Sequence, residues 1–248
     1  MSTLVVKLGG AEAVDATAVI ADVAAHVTAG TPTVLTHGGS TAVDATLERL
    51  GRTPEYVETP AGVTGRFTDA ETMEVFTMVM PGQLNTAITV ELQAVGVDAV
   101  GLSGVDGGLL CGPRKSAVRI VEDGRKRIRR GDHAGRIERV NVPLLRLLLE
   151  AGYTPVVSVP MLADDGVAVN ADADRAAAAI GAAMEATVVL LTDVAGVYAD
   201  PDDPTTLIET VETPAEHAAL TDAAEGFMRR KVMAATEALT GGAARVII

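Results

Sequence analysis

Short apolar runs that do not alternate with polar residues recur along the chain, at 4–8, 33–36, 99–102, 154–159, 187–191 and 245–248. A strand that is apolar on every residue is covered on both faces, which is the habit of parallel sheets wound with helices. Helical patterns fall between these runs, at 14–28, 41–50, 144–150, 174–184, 215–220 and 227–239. Asp69 supplies the cap of another helix, which Pro81-Gly82 is expected to interrupt before a second one runs to Val95. Residues 54–67 read as a short hairpin and 109–140 as hairpin-rich. The expected fold is α/β, a three-layer αβα sandwich with a mainly parallel central sheet. The pattern breaks at Met161-Leu-Ala-Asp-Asp-Gly, which divides the expectation into two lobes, 1–160 and 161–248.

The 248 residues, 48% of them hydrophobic, are enough for a substantial core. No apolar run approaches the roughly 18 residues of a membrane helix. The opening MSTLVVKLGG has neither the apolar segment nor the cleavage site of a signal peptide. A single cysteine, Cys111, excludes an internal disulfide and a cysteine-rich metal centre. These features point to the cytoplasm, with no membrane partner and no protein-held metal.

Charge narrows the partners. The net charge is −13, and only Lys7, Lys115, Lys126 and Lys231 among the 20 basic residues are lysines. Such a surface suits concentrated salt and argues against nucleic acid. Yet residues 113–139 hold ten basic residues against four acids, a local balance of +6 in a chain that is otherwise −19. A basic island in an acidic molecule is either a solvated hairpin face or a docking surface for an acidic ligand.

Glycine pairs follow two of the apolar runs directly, Gly9-Gly10 and Gly38-Gly39. In a parallel sheet such turns lie at the carboxyl ends of the strands, where ligands bind and backbone N–H groups can approach an anion. They also make ordinary tight turns. Neither a Walker A sequence nor a kinase-type GxGxxG loop is present. Lys7 stands near the end of the first apolar run, a costly place for an ammonium unless it is paired. Asn170-Ala-Asp172-Ala-Asp174 opens an alanine-rich helix, as a cap or as carboxylates that orient lysines or metal-bound phosphates. Thr192-Asp193-Val-Ala-Gly196-Val-Tyr198 follows the next run, and His37 is the one histidine beside a suggestive turn.

Taken in order, Lys7-Leu-Gly-Gly, His37-Gly-Gly, Gly65-Arg-Phe-Thr-Asp69, Asn170-x-Asp172-Ala-Asp174, Thr192-Asp193-x-x-Gly196-x-Tyr198 and Gly226-x-Met228-x-x-Lys231 resemble the amino-acid kinase family over the whole chain. The acetylglutamate-kinase-like group is the nearest in pattern. Gly65–Asp69, Ser103-Gly-Val-Asp-Gly-Gly and the arginine-rich 125–130 stretch resemble its LysW-type branch, which acts on 2-aminoadipate or glutamate whose amino group is tied to a small acidic carrier protein. Two departures stand out: Ser40 replaces the third glycine of His-Gly-Gly-Gly, and Asp172 takes the place of a second asparagine.

The resemblance implies roles. Lys7 and Lys231 would stabilise charge on the transferring phosphoryl group, and Asp174 would position both. Gly9 and Gly10 would bind phosphate, while Gly38, Gly39, Arg66 and Asn170 would hold the amino-acid substrate. Thr192, Asp193, Gly196 and Tyr198 would hold the nucleotide, which makes 1–160 the substrate lobe and 161–248 the nucleotide lobe. ATP with Mg²⁺ held mainly by its phosphates is the implied cofactor, and an acyl phosphate of lysine or arginine biosynthesis is the implied product. The carrier would dock on Arg125, Lys126, Arg127, Arg129 and Arg130. Because the chain opens on its first strand, a homodimer without arginine feedback is expected instead of the arginine-inhibited hexamer. Free N-acetyl-L-glutamate is the alternative acceptor, and a non-catalytic sensor or storage protein on the same fold is a third reading.

Overall fold

The computed structural model describes residues 2–9, 15–60, 62, 64–122, 125–200, 202–224 and 226–248. In chain order, β1 (Leu4–Leu8), α1 (Ala16–Thr28), β2 (Thr33–His37) and α2 (Ser40–Arg49) make the first two strand–helix units. A hairpin of β3 (Tyr56–Glu58) and β4 (Thr64–Arg66) precedes α3 (Ala70–Thr77), α4 (Asn85–Ala94) and β5 (Ala99–Gly104). The short β6 (Leu110–Gly112) leads into the long hairpin β7 (Arg114–Glu122) and β8 (Arg125–Gly135), then β9 (Arg139–Val140) and α5 (Val142–Glu150). The chain finishes with β10 (Thr154–Ala163), β11 (Ala168–Val169), α6 (Ala173–Ala183), β12 (Thr187–Leu190), α7 (Pro214–Ala223), α8 (Gly226–Thr240) and β13 (Arg245–Ile247).

Among the described residues the central sheet runs β13-β12-β1-β2-β10, and β10 then pairs with β5 along its first half and β6 along its second. All of these pairings are parallel; β9 and β11 add short antiparallel edges. Successive residues of a strand point to opposite faces. Val5, Val34 and Val188 therefore share one core with α2, α3, α5, α6 and α8, while Val6, Leu35 and Val156 share the other with Ile20 and Val23 of α1 and Leu92 of α4. The result is the three-layer α/β architecture expected. No helix among the described residues is long and apolar enough to cross a membrane.

One local expectation is corrected. Pro81 does not break the helix: Met78–Leu84 winds as a π-helical stretch joining α3 to α4. Widening the turn accommodates the missing proline N–H without losing the helical path. At the pattern break, β10 continues to Ala163 and folds back on β11, with Met161 opposite Val169.

Candidate active site

The carboxyl ends of β1, β2 and β12 face the first turns of α6 and α8, and charged side chains meet there. Lys7 shares the β1 face of Val5, which is covered by α6, and it is only 6% exposed. On α6, Asp174 lies on the same stripe as Ala177, Ala178 and Gly181. A Cβ on Gly181 would stand 2.1 Å from Val188, so glycine lets α6 lie close on the sheet. On α8, Lys231 falls in line with the buried Ala235 and Ala238. Small residues on both helices thus draw two charged groups to the end of the strand that bears a third.

Lys7 Nζ is 2.8 Å from Asp174 Oδ1, and Lys231 Nζ donates to the same oxygen at 3.3 Å. Burial alone would raise the Asp174 pKa, but the two ammoniums carry it below the ordinary carboxylate value. Burial first, and Lys7 next, lower that of Lys231 against the pull of Asp174. Two cations on one carboxylate leave an uncompensated positive charge in a nearly buried setting, which is the electrostatics of an anion site. Opposite Lys7 in the β1–β2 register stands Thr36, whose buried hydroxyl has no hydrogen-bond partner among the described residues. Beside it α2 begins without a side-chain cap, so its first-turn amides point outward as donors.

The other predicted residues sort themselves by geometry. Gly9 follows β1 directly; Gly10 lies outside the described residues. Gly38 is not an open donor: its N–H extends the sheet ladder to the Leu8 carbonyl at 3.0 Å. Gly39 is closely packed: a Cβ there would stand 2.2 Å from the end of the Leu84 side chain and 2.6 Å from the Met80 sulfur. His37 is structural, with Nδ1 on the Gly38 carbonyl and Nε2 receiving the Asn85 amide at 3.2 Å. Arg66 spends its guanidinium on Asp44, Ser40 and the Tyr56 hydroxyl, the last at 2.8 Å, so Ser40 is part of its anchorage. Asn170 bonds Thr68 at 3.1 Å, beside the base of the β7–β8 hairpin.

The Asx ladder divides its labour. Asp172 caps α6 through the Arg175 N–H at 3.0 Å and faces Arg230 at 3.8 Å, while Asp174 alone takes the lysines. Arg230 is a third cation at this opening that the sequence reading passed over; its place next to Lys231 and the extra charge of Asp172 were the available signals. The 192–198 loop is brought to α8 by Val197, which packs with Val232, and Tyr198 bridges Leu207.

The basic island forms a two-stranded ribbon with two unlike faces. On one, Ile120 is buried, and Arg129 stacks 3.8 Å over the Phe67 ring and pairs with Glu55, fastening the ribbon to the body. Arg127 pairs with Glu122 at 2.7 Å on the same face. The other face, with Arg119, Lys126 and Arg130 around Ile128, is exposed.

A parallel α/β sheet at whose strand ends a strand lysine and a helix lysine meet on one aspartate is the frame of an enzyme that handles anionic groups in transfer. The chain belongs to the amino acid kinase family, which matches residues 2–248. It is 44% identical to the LysW-aminoadipate kinase of Deinococcus radiodurans, over all of this chain and 85% of that one. The LysW-aminoadipate kinase of Thermus thermophilus is 42% identical, over 98% of this chain and 91% of that one. An acetylglutamate kinase of Methanopyrus kandleri is 45% identical over 72% of this chain and 69% of its own length. Among solved structures, the N-acetylglutamate synthase of Neisseria gonorrhoeae superposes with a TM-score of 0.74 at 25% identity, covering 99% of this chain; the chain spans 54% of that protein.

Proposed function

We propose that the protein phosphorylates the side-chain carboxylate of 2-aminoadipate or glutamate carried on the amino-group carrier LysW, using ATP and giving an acyl phosphate for lysine or arginine biosynthesis in the cytoplasm. The observation that carries this reading is the Lys7–Asp174–Lys231 cluster in a chain whose full length matches LysW-aminoadipate kinases.

ATP supplies the phosphoryl group: an acceptor carboxylate oxygen bonds to the γ-phosphorus, and the bond to the β–γ bridging oxygen breaks. Catalysis of such a transfer is positioning and charge stabilisation more than covalent help. Asp174 holds the two ammoniums apart from each other and aimed at one place. Lys7 and Lys231 then meet negative charge with donors already desolvated and oriented, which costs no reorganisation at the moment of transfer. The first-turn amides of α2 add neutral donors on the substrate side. Among the described residues no three His, Cys, Asp or Glu side chains gather into a metal centre. The donors present suit phosphate, and a Mg²⁺ arriving with the nucleotide would be held by phosphate oxygens.

In this reading residues 1–160 receive the acceptor through Gly39 and Arg66, Asn170 reaches it from the second lobe, and Gly9 faces the transferred phosphate. Residues 161–248 receive the nucleotide along Thr192, Asp193, Gly196 and Tyr198. The carrier docks on the basic ribbon, through Lys126 and Arg130 with Arg125 and Arg127 at its edge. We also propose a homodimer, for which exposed Met78 and Val90 on the 70–94 helix offer an apolar face. The likeness to the Methanopyrus acetylglutamate kinase supports free N-acetyl-L-glutamate as the second candidate acceptor. Acceptor-dependent ADP release, measured with each acceptor at matched concentration, separates the two.

A further inference from the structure

The Gly65–Asp69 segment contains a residue that the chemistry above leaves unused. Thr68 is completely buried, and every polar group it has faces either Asn170 or the base of the β7–β8 ribbon. Its hydroxyl accepts from Asn170 Nδ2 at 3.1 Å, and its N–H donates to Asp132 Oδ1 at 3.1 Å. Its carbonyl accepts from the His133 N–H at 2.7 Å. Asn170 is tied to the same ribbon base, donating its N–H to the His133 carbonyl at 2.7 Å and receiving the Gly135 N–H at 2.8 Å. Thr68, Asn170 and residues 132–135 therefore close a ring of hydrogen bonds in which, among the described residues, the Thr68 hydroxyl is the one link to the Asn170 side chain.

We infer that Thr68 is a positioning residue: it anchors the rotamer of the Asn170 amide with Nδ2 toward the Thr68 hydroxyl, so that Asn170 meets the acceptor with its carbonyl oxygen. This rests on the proposed placement of the acceptor beside Asn170. A primary amide has two donors and one acceptor carbonyl at opposite corners. With one Nδ2 hydrogen committed to Thr68, the amide is held in one orientation, and the Oδ1 on its opposite corner suits an N–H donor such as the amide formed when an amino group is acylated. Without the hydroxyl, the amide loses this anchor: it either keeps its orientation with a buried Nδ2 donor unmatched, or turns over and presents NH₂ to the ligand. Asp69, the next residue, is spent otherwise, capping α3 through the Thr72 N–H at 2.7 Å and pairing with Arg52 at 3.1 Å.

The test is a set of variants assayed with whichever acceptor the wild type phosphorylates. Thr68→Val keeps the side-chain volume and removes the hydroxyl. We expect it to raise the acceptor KM about tenfold while the KM for ATP moves less than twofold, and Thr68→Ser to recover most of the loss. In an Asn170→Ala background, Thr68→Val should add nothing to the acceptor KM. A second measurement needs no turnover: in the free protein, NMR should show one Asn170 side-chain amide hydrogen protected from exchange in the wild type and in Thr68→Ser, and unprotected in Thr68→Val. An unchanged acceptor KM in Thr68→Val, or an equal effect with and without Asn170, overturns the assignment. If the wild type turns over only free N-acetylglutamate, the carrier reading fails while the Thr68 result still stands or falls by itself.

Discussion

Lys7 Nζ lies 2.8 Å from Asp174 Oδ1, a contact that pins the first strand of the sheet to the first turn of α6 across 167 residues of sequence. Lys231 leans on the same carboxylate from α8, so the cluster has two cations and one anion. The three members accordingly differ in what their removal does. Lys7→Ala and Lys231→Ala each lower kcat by about 10² or more with the fold retained, since either leaves the other ion pair intact. Asp174→Asn also cripples kcat, and in addition strands two ammoniums without a counter-charge. Breaking a buried pair in this way costs about 3–5 kcal/mol. Steady-state kinetics with parallel thermal melts should find the aspartate variant the least stable of the three.

The protonation state of Lys231 sets an alkaline limit. Burial and the neighbouring Lys7 lower its pKa, so the ammonium that meets phosphate is lost at a pH below the ordinary lysine value. The kcat/KM for ATP, which reports the free enzyme, should fall on the alkaline side before a normal lysine would titrate. Lys231→Arg, always charged, should lose most of the rate yet show no such limb.

His37 gives stability a pH dependence of its own. Its pKa is lowered to about 4, burial being the main cause, from 6.5 in the unfolded chain. Between those values the unfolded state binds a proton that the folded state refuses, so stability falls as the pH falls from 6.5 to 4. The loss amounts to about 3 kcal/mol. Urea unfolding across this window should be steeper in pH for the wild type than for His37→Gln. Equal slopes would show that His37 is charged in the folded protein.

The ribbon predicts a separation between its two faces. Lys126→Glu with Arg130→Glu should raise the KM for a carrier-linked acceptor about tenfold or more, leave the KM for ATP unchanged and leave the melting temperature near that of the wild type. Arg129→Ala acts on the body instead. Losing the stack on Phe67 and the Glu55 pair should lower the melting temperature by about 2–4 °C. A loss of carrier affinity confined to Arg129 would place docking on the wrong face here.

The sheet and most helices were legible because burial on both faces leaves unalternating apolar runs, and 4–8 and 187–191 could hardly be anything else in this setting. The π-helical stretch at Pro81 is not legible, since proline signals a break in the local sequence, while Val79 and Met80 just before it are buried in the core. Lys7 drew notice as an ammonium in an apolar strand, and its partner was assigned by resemblance, because nothing local links positions 7, 174 and 231. Counting charge found the basic island but could not say that Arg129 faces inward, which depends on the strand register opposite Val118 and on where Phe67 and Glu55 lie. In the sequence Thr68 is only part of a motif; its use depends on Asn170 and residues 132–135, which the fold places around it.

The most direct test of the account is acyl-phosphate formation trapped with hydroxylamine, with ATP and Mg²⁺, comparing LysW-linked aminoadipate, LysW-linked glutamate and free N-acetyl-L-glutamate. The account predicts hydroxamate from one or both carrier-linked acceptors at a kcat/KM at least an order of magnitude above that for N-acetylglutamate, abolished in Lys7→Ala. Equal or better use of N-acetylglutamate, or no hydroxamate from either carrier-linked acceptor, would contradict it.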